Sequence, residues 1–176
     1  MLRALRDLGL CLTLREGGRS LAVAVACGLT FGAWMALADA TMLRGAVPPI
    51  QREMVAQFTI AQRLAFNWWG ALGDEVALRL GVVTTLAWLA RRCGLGGWRA
   101  FWPAILAAAL LVWPLTVLPY LSSLHWSALA LVREVLLHGA AGVLWGWLYC
   151  RHGWLAGLAG HWAAHVALQP LLWISS

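Results

Sequence analysis

The sequence predicts an all-α fold: a polytopic transmembrane helix bundle of about five spans, forming one domain over residues 1–176, with amphipathic helices at the interface. Three observations predict it. Of the 176 residues, 62% are hydrophobic and only 11% are charged, too little polar surface for a soluble domain of this size. Several apolar runs approach the roughly 20 residues needed to cross a hydrocarbon core. The chain also carries 13 tryptophans, a residue that collects where an apolar ring can hold its N–H at headgroup level.

Residues 1–19 alternate apolar and charged side chains, which predicts an amphipathic helix on the membrane, ended by Gly17 and Gly18. The first span is expected at 20–41, with Asp39 at its far end. Pro48 and Pro49 then break the chain, and 50–66 again has an amphipathic pattern. The second span runs from about Trp69 to Leu89 and ends in Arg91 and Arg92. From Ala100 to Val132 there is no charged residue, too long a stretch for one helix. A break at SSLHWS, 122–127, divides it into a third span at 100–121 and a fourth at 128–149, with Pro103, Pro114 and Pro119 kinking the third. The fifth span is 153–174.

No cleavable signal peptide is evident, and the net charge of +6 comes from dispersed arginines that form no basic stripe, which argues against a nucleic-acid partner. By the positive-inside rule the N-terminus, the 91–99 turn and Arg151 are cytoplasmic, as expected of a multi-pass protein of a bacterial inner membrane. Arg44, Arg52 and Arg63 would then lie outside, unless that segment re-enters the membrane. The four cysteines have neither CxxC nor metal-ligand spacing.

Ionisable groups inside spans are costly and persist where they pair or work. In DEVALR, Glu75 and Arg79 are four apart and share a helix face, while Asp74 lies about 140° round from Arg79 and can point elsewhere. The alternative is an ordinary ion pair at the membrane edge. In the last span His161 and His165 are also four apart. His125 closes the third span. Gathered round one water-filled pocket, a carboxylate and a histidine activate water, and further histidines stabilise an oxyanion.

The order of these groups resembles the CPBP family (CAAX protease and bacteriocin-processing, also called ABI), which are intramembrane glutamic endopeptidases. That family shows EExxxR, FxxxH and HxxxN on separate transmembrane helices. Here they stand as Asp74-Glu75 with Arg79, Leu121 with His125, and His161 with His165; the Gly-spaced stretch GAAGVLWGWLYCRHGWLAGLAGH is also similar. The resemblance covers roughly 69–168. It implies an endopeptidase without a cofactor, acting on a membrane-anchored protein or peptide in the lipid bilayer. Asp74, Glu75 and His125 would activate water, Arg79 would hold the carboxylates, and His161 and His165 would stabilise the oxyanion. Asp74 replaces a glutamate, so either acid is open as the base. His138 is the rival to His125 and is expected outside the cavity, which should lie between the second, third and fifth spans. Other readings are a zinc metalloprotease using the same histidines and an acid, a non-catalytic membrane adaptor or immunity protein, and a bis-histidine haem protein.

Overall fold

The computed structural model describes residues 1–115 and 127–172, and all regular structure among them is helical. The helices are α1 (Leu2–Leu8), α2 (Gly18–Ala40), α3 (Pro49–Gln57), α4 (60–92), α5 (Trp98–Leu115), α6 (Ala128–His152) and α7 (Trp154–Leu171). A 3-10 turn at Arg44–Ala46 joins α2 to α3. Three of them, α2, α5 and α6, are long and apolar enough to cross a membrane. The other two long helices fall short for a chemical reason: α4 carries Asp74, Glu75 and Arg79 in its middle, and α7 carries His161, His165 and Gln169.

Two local expectations are corrected. The N-terminal helix stops at Gly9, not at Gly17 and Gly18. Gly9 takes φ 66° and returns its N–H to Arg6 O, closing α1 after two turns. The chain then runs along the α6–α7 turn, where Arg15 N–H donates to His152 O at 2.8 Å and Trp154 N–H to Cys11 O at 2.9 Å. Gly153 makes this approach possible, because at φ 102° a Cβ would run into Thr13 O. The amphipathic stretch at 50–66 is two helices. Phe58 is extended, and Thr59 and Gln62 form a capping box that starts α4 at Ile60. The expected break at 122–127 lies, except for Ser127, outside the described residues, and His125, Leu121 and Pro119 lie there too.

Small residues set the helix packing, as is usual where helix backbones must approach closely in lipid. Gly28 and Gly32 of α2 form a GxxxG step against α7; a Cβ on either would run into Gly160 O or Ala164 O. Gly139, Gly142 and Gly146 of α6 face Leu110, Ala109 and Ile105 of α5. α1 closes one end of the bundle, its Leu5 and Leu8 packing with Val83, Phe101 and Tyr149.

The polarity is inverted relative to a soluble protein. Leu37, Phe66, Trp69, Leu111 and Leu115 are each more than 60% exposed, while Asp39, Glu75, Arg79 and Arg133 are at most 3% exposed. Such a surface suits lipid, and buried charge of this kind is kept inside a bundle.

Three helices widen locally into π turns, at Glu75–Val83 in α4, Ala108–Val112 in α5 and Glu134–Gly139 in α6. The α5 widening directly precedes Pro114, which has no N–H to return to the preceding turn. All three segments border the same interior cavity.

A candidate carboxylate–histidine site

Glu75 sits where α4 enters its π turn, and it is fully buried. Its backbone carbonyl accepts from Trp154 Nε1 at 3.2 Å. Gly157 of α7 leaves room for the carboxylate; a Cβ there would lie 3.0 Å from Glu75 Oε2. Oε1 faces Arg79 Nε at 3.4 Å and His161 Nδ1 at 3.1 Å. The Arg79 contact is ionic and not an aligned hydrogen bond, since Nε has no acceptor in line. Arg79 is anchored instead through Nη2, which donates to Gly142 O on α6 at 3.1 Å. Glu75 Oε2 has no hydrogen-bond partner.

The π register explains how α4 presents both acids. Thr84 N–H reaches back five residues to Arg79 O, and Thr84 Oγ1 donates to the same carbonyl at 2.9 Å. In an i→i+5 turn, positions five apart move toward one face. Asp74 therefore lines the same cavity as Arg79, and does not point elsewhere as regular α-helical geometry would have it. Glu75 lies off the cavity lining, fully buried behind Arg79 and His161.

The histidines are ordered by stacking. His161 lies flat between Trp145, at 5.6 Å and 12°, and His165, at 5.3 Å and 25°. Trp145 is braced edge-on by Phe31 of α2. His165 Nδ1 is buried without a partner. Asp74, Arg79, His161 and His165 thus border one cavity of about 250 Å³, with Asn67 also in its wall.

His138, expected outside, lines this cavity from α6, so the fourth span contributes as well as the others. Its ring stacks on Trp113 at 5.0 Å and 16°, and its Nδ1 lies 2.8 Å from Glu134 Oε2. The π turn at Glu134–Gly139 turns it inward, and that turn is invisible to a 3.6-residue period. His125 lies outside the described residues. Among the described residues, no three His, Cys, Asp or Glu side chains are grouped to hold a metal ion.

A second buried cluster adjoins the first. Asp39 of α2 receives Arg133 Nε and Nη2, both at 2.8 Å; Gln51 of α3 receives Nη2 as well, and Glu134 receives Nη1 at 3.0 Å. The signal in the sequence was an acid at the end of an apolar run and an Arg-Glu pair at the start of another. No known protein family, curated protein or solved structure matches the chain.

Proposed function

We propose that the chain is a multi-pass membrane endopeptidase of about five spans that hydrolyses a peptide bond inside the bilayer. Its likeness to the CPBP family rests on the three motif-like stretches and the Gly-spaced stretch before the last of them. The observation that carries the proposal is Glu75: fully buried, held by Arg79 and His161 that both line the cavity, with one carboxylate oxygen left unpartnered and with Asp74, its neighbour in the chain, in the cavity wall. A purely structural ion pair in a bundle has no need of a second acid and three histidines around an interior cavity.

In the proposed reaction a water oxygen attacks the scissile carbonyl carbon. The proton it loses goes to the Asp74–Glu75 carboxylate pair. Arg79 holds that pair against rotation. His161, held through Nδ1 by Glu75, would stabilise the developing oxyanion as an imidazolium, which has an N–H on Nε2 as well as on Nδ1, with His165 beside it. As the C–N bond breaks, the proton passes from the carboxylate to the leaving nitrogen, giving an acid and an amine. The chain's own residues supply each of these roles. His138 lines the cavity, and it is assigned the remaining histidine position in place of the expected His125.

The test is the membrane proteome of a deletion strain complemented with wild type, Asp74→Asn or Glu75→Gln. Wild type should restore the size of at least one membrane protein. Loss of a proton-transfer group lowers turnover about 10²–10⁴-fold, so neither variant should restore it, although both insert. Restoration by both variants removes the peptidase proposal.

A further inference from the structure

We propose that a second cavity, next to the first, is a carboxylate-binding subsite with Arg63 as its receptor. The inference rests on the peptidase reading, since it places there a carboxylate of the peptide being cut. This cavity, of about 270 Å³, lies between α3 and the near ends of α4, α6 and α7. It shares Met35, Asn67, Trp113, His138, His165 and Leu168 with the first cavity, so the two are adjacent.

Three arginines are buried among the described residues: Arg63, Arg79 and Arg133. Arg79 faces Glu75, and Arg133 is clamped by Asp39 and Glu134. Arg63 alone faces no carboxylate among the described residues. It is 4% exposed, and its Nε and Nη1 have no acceptor. A guanidinium held this way inside a bundle is costly unless an anion joins it. It also stands in the first turn of α4, where the helix dipole favours negative charge. Gln169, 5% exposed, leaves Oε1 unpartnered in the same cavity, an acceptor for a peptide N–H. Asn67 Nδ2 is committed to Arg63 O at 2.7 Å, which fixes that turn.

Charge selects the ligand. Arg63 offers one guanidinium to one negative group, and Asp39 and Glu134, two acids around the single Arg133 nearby, oppose a dianion such as phosphate. A carboxylate meets the planar guanidinium with two parallel hydrogen bonds. It can be the C-terminus of the substrate or an Asp or Glu side chain. Arg63 and Asp74 are eleven residues apart on α4, roughly 16 Å at 1.5 Å per residue. An extended peptide covers that in about five residues, which sets the greatest separation between the carboxylate and the cut bond.

The experiment uses the full chain in nanodiscs. Binding is read on Glu75→Gln, so that cleavage does not intervene, and cleavage is read on wild type. The probes are three pools of randomised apolar octapeptides: free C-terminus, C-terminal amide, and C-terminal amide with one Asp. Retention of at least one carboxylate pool should exceed that of the plain amide pool by about tenfold or more, as for a hydrogen-bonded charge pair. The pool retained identifies the source. Adding Arg63→Gln should abolish the preference and Arg63→Lys should keep part of it. In the otherwise wild-type chain, Arg63→Gln should raise KM for the preferred pool more than it lowers kcat. Because its charge has no partner, Arg63→Gln should leave the melting temperature unchanged or higher, whereas Arg133→Gln should lower it. Equal retention of all pools, or a preference that survives Arg63→Gln, overturns the subsite. So does an anionic lipid that co-purifies with wild type and is lost from Arg63→Gln. Preferential retention without cleavage removes the peptidase reading and leaves the subsite; cleavage without preference does the reverse.

Discussion

Gly157 is the residue that most directly separates the two acids. It touches the Glu75 carboxylate from α7 and is absent from the cavity wall where Asp74 lies. In Gly157→Ala the new methyl would stand 3.0 Å from Glu75 Oε2, so the carboxylate must give way by a few tenths of an ångström. A 1 Å misplacement at a reacting centre costs about 10²-fold. Gly157→Ala should therefore lower the rate by roughly tenfold if Glu75 takes part in the chemistry, with normal insertion and melting. An unchanged rate would leave Asp74 as the only base. At this scale much of the site was legible in the sequence. Glu75 with Arg79, and His161 with His165, are pairs at a spacing of four, and a helix of either register brings each pair together. Arg63 was read as a topology signal because an arginine near proline and amphipathic sequence has that look; the cavity it borders is closed by α3 just before it and by α7 from far along the chain.

The helices were legible where apolar runs are bounded by glycine or arginine, as in α2 and α6. Their widenings were not. A π turn differs from an α turn by one residue in the hydrogen-bond register, and no composition signal marks it. That is why Asp74 was placed off the shared face; His138 was placed outside the cavity because it stands close to His161 and directly before the Gly-spaced stretch. Packing between elements was partly visible as the Gly28–Gly32 step. α2 braces the site through it: Phe31 lies between Gly28 and Gly32 in sequence and supports Trp145, on which His161 stacks. Gly28→Leu should force α2 off α7. Overpacking of a close interface costs about 1–3 kcal/mol, so the melting temperature of the detergent-solubilised protein should fall by several degrees. Gly70→Leu, on the side of α4 where a Cβ meets nothing within 4 Å, should not lower it. An equal fall in both would mean that α2 and α7 do not pack as described.

The distribution of arginine over the whole molecule orients the proposed bundle. Arg3, Arg6, Arg15, Arg19, Arg91, Arg92, Arg99 and Arg151 are all exposed, and all lie at the end closed by α1. At the opposite end only Arg44 and Arg52 are exposed, because Arg63 and Arg133 are turned inward. Arg63 therefore weighs less against the expected orientation than its sequence position suggests, because it is buried and not exposed at that end. In the proposed orientation the end closed by α1 is cytoplasmic, and α3 and the Arg63 cavity face the other side. A substrate would be presented from the extracytoplasmic side, as an exported protein with a membrane anchor would be. Cysteine labelling tests this on a background with Cys11, Cys27, Cys93 and Cys150 replaced. Met42→Cys, 70% exposed beside the 3-10 turn, should react with an impermeant maleimide added to intact cells. Gly96→Cys, in the exposed turn between α4 and α5, should react only after lysis. The opposite pattern would invert the bundle and place the carboxylate-binding end in the cytoplasm, where the substrates are cytosolic chains and not exported ones.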